Sequence, residues 1–120
     1  MTNNRIVIAG AGPAGLVCAA VLARAGVTVT VLEAEPKLPL NLRASTFHPP
    51  TLDILDDLGV AEPLIEQGLK APTLQYRDRA TGLIAQFDFG DIADMTGHPY
   101  RVQCEQFRLN QAILEKLTPL

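Results

Sequence analysis

The feature that most constrains the fold is a glycine-rich turn near the start of the chain, Gly10-Ala11-Gly12-Pro13-Ala14-Gly15. The β-branched apolar run Arg5–Ala9 leads into it and is typical of a strand buried on both faces of a parallel sheet. At this G-x-G-x-x-G spacing, Gly10 permits a tight turn, Gly12 lets the backbone approach a pyrophosphate, and Gly15 lets the following helix pack close to the strand. The turn therefore predicts a strand-turn-helix unit that binds a dinucleotide.

The residues after this turn complete a β-α-β unit. The segment Ala14–Ala25 is rich in helix formers, and Gly26 supplies a C-terminal stop. The β-rich run Val27–Glu33 then predicts a second strand, parallel to the first, with a right-handed crossover between them. Glu33 ends this run 18 residues after Gly15, where a carboxylate can accept hydrogen bonds from a ribose diol and would repel a 2′-phosphate. This repulsion argues against NADP as the ligand of the turn.

Four further elements are predicted downstream. Leucines at helical spacing predict a helix over Pro50–Gly59, and a shorter helix covers Pro63–Gln67; we expect both to pack on the sheet. Apolar and polar residues alternate on both sides of Thr81-Gly82, which predicts a β-hairpin over Thr73–Phe89. Apolar residues four apart predict an amphipathic helix over Glu105–Leu117.

Composition narrows the class of protein. The chain of 120 residues is 48% hydrophobic and 19% charged, which is typical of one soluble globular domain. Its formal net charge of −3 gives no general attraction for nucleic acid or for an anionic membrane. The uncharged run Ile6–Ala23 contains three glycines and a proline and is followed directly by a strand, which favours the β-α-β unit over a signal peptide. We therefore expect a cytoplasmic protein with no nucleic-acid and no membrane partner.

The residue types that most often carry chemistry show no catalytic or metal-binding pattern. Cys18 and Cys104 belong to no Cys-x-x-Cys or Cys/His cluster and are predicted to be buried thiols in a reducing compartment. His48 and His98 are solitary, each next to a proline, and are predicted to be structural or surface residues with no metal ligand role. Three aspartates of the predicted helix are expected to be solvated surface residues: Asp53, Asp56 and Asp57.

Strand, turn, helix and acid do not separate FAD from NAD, but three longer segments resemble one family. The first, IVIAGAGPAGLVCAAVLARAGVTVTVLEAEP, resembles the N-terminus of the FAD-dependent aromatic hydroxylases, the family of p-hydroxybenzoate and phenol hydroxylases. The likeness continues in NLRASTFHPPTLDILDDLG and in HPYRVQCEQFRLNQAILEKL, so it spans nearly the whole chain. The first motif is shared by many flavoproteins, whereas the three in this order are more specific. The resemblance implies an α/β fold: a Rossmann-like β-α-β FAD-binding fold with a parallel sheet, extra helices and an antiparallel hairpin.

The resemblance also implies which residues bind the cofactor. Arg43 would contact the FAD phosphate and ribose region, which suits a guanidinium with several fixed donors. The family's glutamine could be Gln103 or Gln106; Gln106 fits better because apolar residues follow it at three and seven positions. The full set implied to bind FAD is Gly10, Gly12, Pro13, Ala14, Gly15, Glu33, Arg43 and Gln106, with the glycine turn on the pyrophosphate and Glu33 on the adenosine ribose. No catalytic residue is implied, because in these hydroxylases the flavin carries the oxygen chemistry.

The family's activity would be insertion of one atom of O2 into an aromatic small-molecule substrate, with FAD reduced by NADPH or NADH. The family pattern also has an Asp-Gly segment and a later Gly-Asp segment; Gly90-Asp91 comes too early in the chain to be the latter. Residues 1–120 are therefore expected to be the N-terminal part of a FAD-binding domain, inactive alone. Uncovered sheet edges predict self-association, for instance as a homodimer.

Two other functions stay open on the sequence. One is a truncated, non-catalytic nucleotide-binding or dimerising fragment. The other is a different FAD-dependent oxidoreductase, such as an amine oxidase or a disulfide reductase, although no Cys-x-x-x-x-Cys supports the reductase.

Overall fold

A computed structural model describes residues 5–117, which form two compact units. The first unit comprises the described residues up to Ala44 together with those from Glu105 onward, and the second unit is Ser45–Cys104. In chain order the elements are β1 (Ile6–Ala9), α1 (Pro13–Arg24), β2 (Val29–Leu32), β3 (Thr46–Phe47), α2 (Pro49–Asp57), α3 (Ala61–Gln67), β4 (Leu69–Ala71), β5 (Thr73–Asp78), β6 (Gly82–Asp88), a 3-10 turn (Phe89–Ile92), β7 (Arg101–Gln103) and α4 (Gln106–Leu117).

The first unit is built on the predicted β-α-β arrangement. Strands β1 and β2 pair in parallel, with Ile6 opposite Val29 and Ala9 opposite Leu32. Helix α1 packs on both strands and on α4. Pro13 occupies the first turn of α1, and Gly26 ends it with a φ of +77°, as the sequence predicts. The α/β class and the parallel pair are therefore confirmed.

The prediction that β1 is buried on both faces is wrong. One face of the β1–β2 pair carries Ile8 toward α1, whereas the opposite face carries Val7 and Leu32, which are 58% and 57% exposed. Within the described residues this sheet has only two strands, and a pair of strands cannot bury both faces without a second covering layer. Residues 5–117 therefore leave apolar side chains of the β1–β2 pair exposed on the face opposite α1.

The prediction of two buried thiols is half right. Cys104 is buried, but Cys18 is exposed, because it lies on the surface of α1 away from the buried Leu16 and Ala19. Neither cysteine forms a disulfide within residues 5–117.

The second unit contains a three-stranded antiparallel sheet, in the order β3-β7-β4, that the sequence did not predict. Helices α2 and α3 pack on each other, and α3 contacts β4. The fully buried side chains at the centre of the unit include Leu52, Leu55, Leu64 and Val102. The predicted helices are present, and they form a core with this small sheet.

The predicted hairpin is also confirmed. Strands β5 and β6 pair antiparallel, with Leu74 opposite Phe87 and Tyr76 opposite Ala85, so that these four side chains share one face. The rings of Tyr76 and Phe87 meet edge to face with centroids 6.0 Å apart. The other face carries Gln75 and Gln86, whose side chains are hydrogen-bonded.

Asp53 is not the solvated surface residue that the sequence predicts. Its carboxylate accepts a hydrogen bond from the Thr96 hydroxyl at 2.7 Å and lies 2.6 Å from Nδ1 of His98, which is itself only 9% exposed. Both bonds lower the pKa of Asp53, the one with His98 having the larger effect and the one with Thr96 the next. The contact joins α2 to the segment before β7, so His98 is a structural residue.

Candidate nucleotide-binding site

The glycine turn has the geometry that its spacing predicts. Gly10 has a φ of +102°, in the region that favours glycine, and its N–H donates to the Leu32 carbonyl at 2.7 Å. A Cβ at Gly15 would collide with the Gly10 carbonyl oxygen and would lie 3.3 Å from Cγ2 of Ile8. The start of α1 therefore lies directly against the Gly10 backbone, with no room for a Cβ, which requires glycine at position 15.

The N-terminus of α1 is open toward solvent. Gly12 is the N-cap, with extended backbone and no side-chain cap, and a Cβ at this position would meet no atom within 4 Å. The N–H groups of a first helical turn have no partner inside the helix, and the helix dipole adds partial positive charge there. No acidic residue lies in the first turn of α1 to neutralise that charge. Such an end can hold a phosphate group.

Glu33 connects the end of β2 to the glycine turn. Its Oε2 accepts a hydrogen bond from the Ala11 N–H at 2.7 Å, and its Oε1 accepts one from the Glu35 N–H at 3.0 Å. Both backbone bonds lower the pKa of the Glu33 carboxyl, the bond from Glu35 having the larger effect and the bond from Ala11 the next, so the carboxyl is ionised at neutral pH. Each carboxylate oxygen can accept a further hydrogen bond. The bond to Ala11, which the sequence did not predict, is thus compatible with a contact to ribose hydroxyls.

A cleft of about 160 Å³, the nucleotide cleft, lies beside this turn. It brings together five of the residues that the resemblance implies: Gly12, Pro13, Glu33, Arg43 and Gln106. Gly10, Ala14 and Gly15 lie in the adjoining turn without lining it. Ala11 of the glycine turn also lines it, together with residues that the sequence did not single out: Glu35, Pro39, Asn41, Phe107 and Asn110. The volume is below the roughly 300–1,000 Å³ of a complete small-molecule site, so it suits part of a dinucleotide.

The two candidate glutamines have different surroundings. Gln106 begins α4, lines the nucleotide cleft, and donates its backbone N–H to the Ala44 carbonyl at 3.0 Å. Gln103 lies on β7 in the second unit, where its Oε1 accepts a hydrogen bond from the Thr46 hydroxyl at 3.0 Å. The geometry therefore favours Gln106. Its backbone bond to Ala44 brings the segment that carries Arg43 to the start of α4.

A second, larger cavity of about 680 Å³ follows one face of β2 and is mostly apolar. Its walls are the side of α1 that carries Leu16 and Ala19, the alternate β2 residues Val29 and Val31, and the end of α4. It meets the nucleotide cleft at Ala11 and Glu33 but offers no cation or helix N-terminus to a phosphate. The smaller cleft is therefore the candidate site.

Comparison with known families decides between the classes that a glycine turn allows. Residues 3–119 match the family described as FAD binding domain. The chain belongs to this family. The match to the FAD binding domain includes the glycine turn, Glu33, Arg43 and the start of α4.

Named relatives of this FAD binding domain are monooxygenases. The chain is 34% identical over 119 residues to para-nitrophenol 4-monooxygenase of a Pseudomonas species. The aligned region covers 99% of this chain and 30% of the relative. It is 34% identical over 118 residues to 6-hydroxy-3-succinoylpyridine 3-monooxygenase HspB of Pseudomonas putida, covering 98% of this chain and 30% of that protein. The chain thus spans 30% of the length of each of these two relatives.

Solved structures agree with the fold. The structure of p-nitrophenol 4-monooxygenase PnpA from Pseudomonas putida matches with a TM-score of 0.86 and 34% identity, over 98% of this chain and 30% of that one. The flavin-dependent monooxygenase PieE, solved with FAD and substrate, matches with a TM-score of 0.76 over 97% of this chain and 22% of that one. At 21% identity, the second match shows the fold alone.

Between residues 5 and 117, no helix is long and apolar enough to cross a membrane. The same residues include no group of three or more His, Cys, Asp or Glu side chains placed to hold a metal ion.

Proposed function

We propose that this chain is the FAD-binding portion of a flavoprotein monooxygenase that uses NADPH or NADH and O2 to hydroxylate an aromatic, phenolic substrate. The observation that carries the proposal is the nucleotide cleft at the glycine turn, in a chain of the FAD binding domain family. Relatives named for p-nitrophenol and pentachlorophenol support the phenolic substrate class. Because the chain spans about 30% of the first of these relatives, the activity belongs to a longer parent protein and we expect none from these residues alone.

The proposed binding residues divide the cofactor between them. The turn from Gly10 to Gly15, including Pro13 and Ala14, holds the pyrophosphate on the open N-terminus of α1. Glu33 accepts hydrogen bonds from the adenosine ribose, and Gln106 binds near the phosphates from the start of α4. Arg43 is exposed, lines the cleft, and makes no ion pair within residues 5–117, which leaves its guanidinium available for a phosphate.

The fit between these residues and FAD rests on the chemistry of the cleft. It offers a helix N-terminus and a guanidinium to the two phosphates, and a carboxylate to hydroxyl donors. When bound, FAD supplies the redox chemistry with the nicotinamide donor and O2, while the chain binds and orients it. No residue of this chain is assigned a catalytic role.

We also propose a cytoplasmic protein that self-associates as a homodimer. The exposed Val7 and Leu32 on one face of the β1–β2 pair support association, because contiguous apolar surface tends to be covered. The absence of a disulfide at Cys18 and Cys104 within residues 5–117 is consistent with a reducing compartment.

FAD titration of the purified chain tests the binding proposal. The dissociation constant is measured by flavin fluorescence and by calorimetry for the wild type, for Gln106→Leu and for Gln103→Leu. We expect saturable 1:1 binding that weakens several-fold in Gln106→Leu, because a hydrogen bond to the cofactor is lost, and that is unchanged in Gln103→Leu. Absence of binding in the wild type, or equal binding by all three proteins, would contradict the assignment.

NADPH and NADH consumption by the FAD-loaded chain, with and without p-nitrophenol, tests the second part. We expect no phenol-stimulated turnover from these residues alone. Stimulated turnover would show that the chain is a complete enzyme, and binding of FAD without any turnover in a longer parent protein would favour a non-catalytic nucleotide-binding function.

A further inference from the structure

Asn110 is a buried polar residue with an unexplained acceptor. It lies on α4, is 6% exposed, and its Oδ1 is buried without a hydrogen-bond partner among residues 5–117. Its helix neighbours Leu109 and Ile113 are 3% and 0% exposed and apolar, so an amide here is unusual for a helix face that packs into a core. Buried amide oxygens are paired in the great majority of cases, and an unpaired one calls for a physical reason.

The position of Asn110 supplies such a reason. Its side chain lines the nucleotide cleft, one helical turn beyond Gln106, together with Ala11, Gly12 and Pro13 of the glycine turn. Oδ1 itself is buried, but the side chain that carries it lines the cleft, so a rotation of the amide about its side-chain torsion angle can present this acceptor to a molecule that enters the cleft. The partner must be a donor, because an amide oxygen cannot hydrogen-bond to another acceptor.

We infer that Asn110 is a ligand-contacting residue of the nucleotide cleft, whose Oδ1 accepts a hydrogen bond from a sugar hydroxyl of the bound dinucleotide. This inference rests on the proposed FAD-binding function. A pyrophosphate is ionised at neutral pH and offers no donor, so the phosphates themselves are excluded as the partner. The donors bonded closest to that pyrophosphate are the hydroxyls of the adenosine ribose on one side and of the ribityl chain on the other. Either sugar provides the same chemistry.

A leucine at position 110 separates a ligand contact from a structural role. Leucine is close to asparagine in size and removes the buried acceptor, so the free chain should be as stable as the wild type or more stable. If Asn110 served only the fold, the same substitution would lower stability. The matched control is Gln111→Leu, which removes the neighbouring amide on the exposed side of the same helix.

The experiment measures the urea midpoint and the dissociation constants for FAD and for ADP in the wild type, Asn110→Leu and Gln111→Leu. We expect about a tenfold weaker affinity for FAD in Asn110→Leu, which corresponds to one lost hydrogen bond, with a urea midpoint equal to or above that of the wild type. Gln111→Leu should bind FAD as the wild type does. A parallel loss of ADP affinity assigns the adenosine ribose, and unchanged ADP affinity assigns the ribityl chain.

Other outcomes overturn the inference in distinguishable ways. If the wild type binds FAD and Asn110→Leu binds it equally well, the assignment of Asn110 is wrong and the proposed function stands. If the wild type binds neither FAD nor ADP, the proposed function of the cleft is refuted and the role of Asn110 with it. Should Asn110→Leu lower the urea midpoint, Asn110→Ala provides the second test, and full FAD affinity in that variant refutes the contact.

Discussion

A methyl group added at Gly15 tests the closest approach of helix and strand in the first unit. In most helices, replacing glycine with alanine stabilises the protein by about 0.5–1 kcal/mol, because alanine loses less backbone entropy on folding. At Gly15 the new Cβ would collide with the carbonyl oxygen of Gly10. The structure thus predicts the opposite sign to helix propensity.

The magnitude follows from which atoms are able to move. The N–H of Gly10 donates to the Leu32 carbonyl at 2.7 Å, and the Gly10 φ of +102° leaves its carbonyl little freedom to move. In addition, Cγ2 of Ile8 lies 3.3 Å from the new carbon. Overpacking against such a site costs about 1–3 kcal/mol. After the propensity gain is subtracted, we expect Gly15→Ala to lower the free energy of unfolding by about 1–2 kcal/mol.

Gly12→Ala is the matched control, three residues earlier in the same motif. Gly12 has a φ of −72° and no atom within 4 Å of a Cβ, so alanine fits without strain, and we expect a change in stability within about 0.5 kcal/mol. The methyl group would, however, enter the space proposed for the pyrophosphate. Gly12→Ala should therefore lose affinity for FAD while it keeps its fold.

The assay combines urea unfolding, followed by circular dichroism, with FAD titration. Hydrogen exchange of peptides from α1 and β1 assigns the loss of stability in Gly15→Ala to the first unit. A Gly15→Ala protein as stable as the wild type would refute the packing argument. A Gly12→Ala protein that binds FAD normally would refute the close approach of the backbone to the cofactor.

Three further outcomes are expected. The lowered pKa of Asp53 means that its contribution to stability is present above the ordinary aspartate pKa of about 3.9 and is lost as the pH falls toward the folded-state value. Asp53→Asn should therefore flatten the acid side of the stability profile, measured by urea unfolding from pH 6 to about pH 3. An unchanged profile contradicts the role of the bond between Asp53 and His98. Glu33→Gln should weaken FAD binding and reduce the discrimination against 2′-phospho-ADP-ribose in competition titrations, because the ionised carboxylate that repels the 2′-phosphate is gone; equal discrimination in both proteins argues against a ribose contact. Gly68→Ala should destabilise the second unit by about 1–3 kcal/mol in thermal unfolding, since the new Cβ would lie 2.6 Å from Cγ1 of Val102, and a wild-type melting temperature would refute that packing.

The elements that the sequence predicts are those whose signals are local. The glycine turn places β1 and α1 because three glycines at fixed spacing satisfy a local backbone requirement. The hairpin is predicted because Tyr76 and Phe87 alternate with polar neighbours over six or seven residues in each strand. In both cases the residues that specify the structure lie within one element or its adjoining turn.

The sheet of β3, β4 and β7 has no such signal. Its strands are two to three residues long, and Thr46 pairs with Gln103 across nearly the whole sequence of the second unit. Strands this short show no alternation, so their pairing is determined by contacts distant in the chain. The same reason hid the bond between Asp53 and His98, which are 45 residues apart.

The candidate site was predictable where it follows the motif and not where it depends on the fold. Glu33 was predicted from its position after the glycine turn, Arg43 and Gln106 were reached through the resemblance, and the structure brings the three to one cleft. Asn110 was missed because the apolar spacing of Leu109 and Ile113 marks that side of α4 as core. The signal that could have found it is the amide itself, a polar residue on a helix face that is otherwise apolar.

The bond from the Ala11 N–H to Glu33 has a consequence for how much of the binding free energy reaches the ligand. A loop that is ordered only when its ligand arrives lowers the affinity by the entropy of that ordering. The 2.7 Å hydrogen bond joins two groups of the chain and requires no ligand atom, so it contributes to ordering the turn during folding. A variant at Glu33 would therefore change two quantities at once, the contact with the ribose and the rigidity of the turn. The calorimetric entropy of FAD binding, rather than the affinity alone, is the quantity that separates them.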